Sequence, residues 1–160
     1  MLWNLFFRAM YRGLRIADPL VRWLWRRGWG LDRVVSLGVP GRVSRRERQL
    51  LVTLLTVGQH AYLGHPNGPA EWTRNVEAAG GGWITYGSSA PSAESPAFVR
   101  AIRLFGGPER DAVIRATWSQ QPFPANLVYA LARRHVRDVG VYFRITPTAR
   151  DAPSDAPSDA

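Results

Sequence analysis

Two stretches of the chain carry residue types at spacings that could do chemistry. The first is "GRVSRRER", residues 41–48. On an extended strand Arg42, Arg46 and Arg48 share one face, with Ser44 between them. Guanidinium forks match phosphate and carboxylate in bidentate geometry, so this face is a candidate anion site. The plainer reading is a solvated strand edge whose charges discourage edge-to-edge pairing. The second stretch is "GHPNGPAEWTRNVEAAG", residues 64–80. Gly64, Asn67 and Gly68 permit close backbone approach and positive φ. Pro69 suits a helix start, and Glu71 complements the positive end of the helix dipole. Trp72 and Asn75, three residues apart, lie on one face of that helix. Its first turn offers free N–H groups to an anion or a carbonyl. The plainer reading here is a core-facing indole beside an Asn that caps a neighbouring loop.

Other chemistries find less support. His60 and His65 sit on a strand and a turn, His135 is remote, and no spacing resembles a metal site. Ser88 and Ser89 follow Gly87, but no G-x-S-x-G elbow is present. The segment between residues 48 and 70 has no acid, which argues against paired-carboxylate catalysis. The absence of cysteine excludes disulfides, thiolate nucleophiles and Cys-based zinc sites, and fits a cytoplasmic protein. All 21 basic residues are Arg, and the lack of Lys removes P-loop and Schiff-base chemistry.

The formal charge of +9 is concentrated at the front of the chain. Residues 1–33 hold seven Arg against two Asp, and residues 34–50 hold four Arg against one Glu. An anionic partner is therefore expected in the first third. Nucleic acid is not expected: no helix-turn-helix or RNP motif appears, and aromatics are not interleaved with the arginines of 42–48.

The elements that would position these residues follow from periodicity. Residues 1–31 read as two amphipathic helices, with Arg8, Arg12 and Arg15 in one stripe and a break at Asp18–Pro19. No uncharged run approaches the roughly 18 residues of a membrane span. Arg and Trp together suit a helix lying in the headgroup layer of an anionic bilayer; packing on the domain is the alternative. Strands are expected at Val34–Leu37, along "RQLLVTLLTVG" and at "HAYLG", with a tight hairpin at Gly58–Gln59. A helix over 69–79, a strand "GGWITYG" and an alternating strand "SPAFVRAIRLF" come next. Two helices follow, the first opened by Gly107–Pro108 and the second spanning "ANLVYALARRHV". A last strand, "DVGVYFRITP", places Val139, Val141, Phe143 and Ile145 on one face. The tail from residue 148 repeats APSD and is expected to be disordered. This order is α+β: a small, partly closed antiparallel barrel over residues 32–147, with helices at its ends.

The motifs taken together resemble the deazaflavin-dependent nitroreductase family. Gly41, Arg42, Ser44 and Arg48 match that family's first motif, and Trp72 and Asn75 match its W-x-x-N pair. The likeness spans roughly residues 31–147 and includes Arg137 ahead of the final strand. The chain departs from the pattern at Val43, Arg45, Leu51 and Glu71, where the family has a basic residue, Gly, Pro and Pro.

The resemblance implies a split antiparallel β-barrel of the flavin-reductase type that binds coenzyme F-420, a deazaflavin. It also implies hydride transfer to a quinone, a nitro compound or an activated alkene. On that reading Arg42, Ser44, Arg46 and Arg48 neutralise the cofactor's acidic tail, and the Asn67–Gly68 turn cradles its phosphate. Trp72 walls the ring, Asn75 holds the helix or the cofactor, and Tyr129 is placed by position as a proton donor. The resemblance also implies that the helical extension of residues 1–31 meets the inner face of a membrane, and that the barrel pairs as a homodimer. The alternatives are an FMN-binding reductase and a non-catalytic membrane-surface protein built on the same barrel.

Overall fold

A computed structural model of the chain describes residues 7, 9, 19, 20, 22, 23, 25–27, 33–87, 96–121, 123 and 125–148. Most of the expected helical extension lies outside these residues, as do Ser88, Ser89 and the tail from residue 149. The described residues between 19 and 26 are helical.

Six strands form the body: β1 (Val34–Pro40), β2 (Glu47–Val57), β3 (His60–His65), β4 (Gly81–Thr85), β5 (Ala97–Leu104) and β6 (Val141–Pro147). Four helices accompany them: α1 (Glu71–Ala79), α2 (Pro108–Gln120), α3 (Ala125–Leu131) and α4 (Arg133–Val139). The strands close into an antiparallel barrel in the order β1-β2-β3-β6-β5-β4, with β4 returning to β1. This is a split barrel of the flavin-reductase type, fully closed where the sequence suggested partial closure.

The strand composition follows from what covers each face. Val35, Leu37 and Val39 of β1 point into the barrel opposite Val52 and Leu50 of β2, and Phe143 and Ile145 of β6 complete this inner core. The outer face of β2, β3 and β6 is also buried. Leu55, Tyr62 and Tyr142 pack there against Val113 and Ile114 of α2, Tyr129 of α3 and Val136 of α4. A strand covered on both sides reads as a continuous apolar run, which is why β2 is "LLVTLLTV" rather than alternating. β5 alternates because only one of its faces is fully covered: Val99 and Ala101 face inward, while Ile102 remains exposed.

The turn after β2 is the expected Gly58–Gln59 hairpin, with Val57 paired to His60 and Gly58 at φ +59°. Two other expectations change. "ANLVYALARRHV" is two helices broken at Ala132 (φ −88°, ψ 19°). Val139 ends α4 instead of starting β6.

In the antiparallel order one end of the barrel collects the end of β1, the start of β2, the end of β3 and the start of β4. Helix α1 packs across β1, β4 and β5. Its Val76 is fully buried in the inner core.

Candidate functional site

The stretch read as one arginine-bearing strand is instead the turn from β1 into β2. Its closure is local: the Arg45 N–H donates to Gly41 O at 2.8 Å and the Gly41 N–H to Arg46 O at 2.9 Å. Arg45 takes a left-handed backbone, φ +56°, the sole non-glycine residue to do so among those described. Arg42 therefore lies in the turn, Arg46 just after it, and Arg48 alone on β2. Arg48 pairs with Val39 and shares the inward row of Leu50 and Val52, so it stands at the rim of the barrel mouth. Ser44, Arg45, Arg46 and Arg48 are exposed. Among the described residues none of these guanidinium groups has an acidic partner.

Helix α1 is set beside this turn. Its start is fastened by Thr73, whose Oγ1 accepts from the Ala70 N–H at 2.9 Å and donates to Ala70 O at 2.8 Å. Its end is Gly80 at φ +67°, the left-handed position that glycine takes without strain. Asn75 is buried, and its Oδ1 accepts the Arg42 N–H at 3.1 Å. Arg42 Nη2 meets Glu71 Oε2 at 3.2 Å, and Arg74 Nη1 meets Glu71 Oε1 at 3.0 Å. Arg42 first and Arg74 second hold the Glu71 carboxyl below the usual carboxylate range. The structure thus brings Arg42 and Asn75 together, 33 residues apart in sequence. It does so as framework: Asn75 caps the neighbouring loop, the plainer of the two readings for that residue.

Trp72 is half-buried, packs on the inner core and meets the His65 ring edge-on at 6.0 Å. The His65 Nδ1 lies 2.9 Å from Gly68 O, which places its proton on that nitrogen as donor. Burial lowers the His65 pKa below its ordinary value, with the Gly68 bond opposing. Gly68 is itself buried at φ +82°, and the Asn67 Oδ1 lies 2.6 Å from His135 Nε2. Two imidazoles therefore contact the turn, one at Gly68 and one at Asn67. The His65–Gly68 contact spans three residues across Pro66, a spacing visible in the sequence. Among the described residues no group of three His, Asp or Glu side chains could hold a metal ion.

Tyr129 does not join this end. It is 6 % exposed and belongs to the outer core, stacked on Phe7 at 5.8 Å, whereas Trp72 packs on the inner core. Tyr129 and Trp72 therefore pack on different cores.

Comparison with known proteins supports the fold. No protein-family profile matches the chain, and no curated protein matches it significantly. Among solved structures, a domain-swapped dimer shares 16% identity at a TM-score of 0.51, covering 84% of this chain and 99% of its own. A conserved hypothetical protein of Mycobacterium tuberculosis shares 11% at a TM-score of 0.51, covering 72% of each chain. An F420-H2 dependent reductase is also similar, at 13% identity and a TM-score of 0.47, covering 71% of this chain and 94% of its own. These likenesses, all at low identity, bear on the fold alone.

Proposed function

We propose that the chain is a deazaflavin-dependent oxidoreductase that holds coenzyme F-420 at the α1 end of the barrel. From there a hydride passes to a quinone, a nitro compound or an activated alkene. One observation carries this reading. The two sequence motifs that resemble the family form a single structural unit, joined by the Arg42 N–H to Asn75 bond and the Arg42–Glu71 pair. Beside that unit stand Arg46 and Arg48 at the rim, with no acid of the described chain to neutralise them. This donor set fits a polyanion.

The roles divide accordingly. Arg46 and Arg48, with Ser44, would hold the acidic tail, and the Asn67–Gly68 turn would lie against the linker. Trp72 would wall the flat ring. Arg42 and Asn75 shape the site rather than contact the cofactor. When bound, the cofactor supplies the hydride chemistry; the chain orients it and excludes water. A homodimer belongs to the same proposal, supported by the domain-swapped dimer among the structural neighbours.

The test is a fluorescence titration with coenzyme F-420 and, in parallel, FMN. Quenching by F-420 at micromolar concentration is expected. The Arg46→Ala/Arg48→Ala pair should weaken it roughly tenfold and flatten its salt dependence. Tighter quenching by FMN would move the assignment to a flavin reductase, and silence from both would remove the enzyme reading. Light scattering of the purified chain settles the pairing.

A further inference from the structure

The outward side of α3 carries a row of large apolar side chains that is exposed among the described residues. Phe123, in the turn before the helix, is 81% exposed; Leu127 and Leu131, each four residues further on, are 54% and 70% exposed. The opposite side of the helix is well used, since Tyr129 is buried and Val128 and Ala125 pack on the outer core. The row is therefore not a by-product of a loosely docked helix. Immediately after it, α4 presents Arg133, Arg134 and Arg137 to solvent, none of them in an ion pair among the described residues. Asp138 is the sole acid between Asp111 and Asp151.

We propose that this face docks on the headgroup layer of an anionic bilayer, with Phe123, Leu127 and Leu131 dipping into the acyl boundary and the three arginines on lipid phosphates. The chemistry selects this occupant. A second copy meeting the face about a two-fold axis would bring arginines against arginines, with little acid to offset them. A protein partner needs a groove to receive three protruding side chains, whereas a bilayer accepts them wherever headgroups part. Guanidinium groups beside an apolar row are the arrangement by which surface-lying helices hold anionic lipid. Phe7 is buried beneath the same two helices, its ring 5.8 Å from Tyr129 and 5.6 Å from His135.

The absence of cysteine makes a direct test available. Full-length Leu127→Cys is labelled with a polarity-sensitive dye and mixed with phosphatidylcholine vesicles, with or without an equal amount of phosphatidylglycerol. Arg100→Cys on β5, labelled alike, is the control. The label at 127 should shift to the blue with anionic vesicles, that at 100 should not, and added salt should reverse the shift. The Phe123→Ser/Leu127→Ser/Leu131→Ser variant should sediment with anionic vesicles roughly tenfold less than the parent. A melting curve checks its fold, and the single labels decide the matter if it unfolds. Vesicle binding that leaves the label at 127 unshifted overturns the proposal. So does a shift that follows protein concentration without lipid, with a dimer in light scattering, since the occupant is then a second copy.

Discussion

Arg45 shows at the scale of one residue how the chain departs from the pattern it resembles. The resembled motif has Gly at this position, and the backbone here has φ +56°, where a side chain costs about 1–2 kcal/mol. Arg45→Gly should therefore stabilise the fold by about 0.5–1 kcal/mol after the entropy gained by the unfolded chain is subtracted, read as a raised urea midpoint. His65 makes a second prediction. Burial depresses its pKa in the fold, so the folded imidazole stays neutral while the unfolded one takes up a proton near its ordinary 6.5. The unfolded state then binds more protons, and stability is complete above that value and falls below it. Between about pH 8 and about pH 5 the urea midpoint should drop, and His65→Asn should drop less. Part of the slope will survive in that variant, because burial also lowers His135. None of this was legible in sequence. A positive φ on Arg runs against residue preference, and a histidine's burial depends on the helix packed against it.

Elements were far more legible than residues, and the reason is periodicity. Alternation in β5 and the apolar run of β2 announced strands because each records what lies on its faces. Gly80 closes α1 in a left-handed geometry that other residues meet at a cost, whereas Pro69, expected at the first helical position, precedes the N-cap Ala70. Legibility failed where the signal was absent or misleading. Nothing in "ANLVYALARRHV" is a helix breaker, yet the chain turns at Ala132 so that both Tyr129 and Val136 reach the outer core. The β1–β2 turn passed for strand because four arginines mask its single strained residue. Close strand packing also gives an element-scale prediction. A Cβ on Gly81 would overlap the Val99 carbonyl across the β4–β5 pair, whereas one on Gly106 meets nothing within 4 Å. Gly81→Ala should cost about 2 kcal/mol or more and Gly106→Ala less than about 0.5, compared by thermal melts.

At the scale of the whole molecule, two apolar cores share the wall of β2, β3 and β6, one inside the barrel and one between it and the helices. Phe7, far from the barrel in sequence, is fully buried in the second. Phe7→Ala should cost about 3–5 kcal/mol and lower the midpoints of near- and far-ultraviolet dichroism together, since a shared wall couples the cores. Separate transitions would mean that the helical layer melts on its own. The strand order has a further consequence for biogenesis. Because β6 slots between β3 and β5, a nascent chain that has emerged only through residue 140 holds five strands with two bare flanks. Each flank is a template for foreign pairing, so the interval before the last strand arrives is when this protein most needs a chaperone.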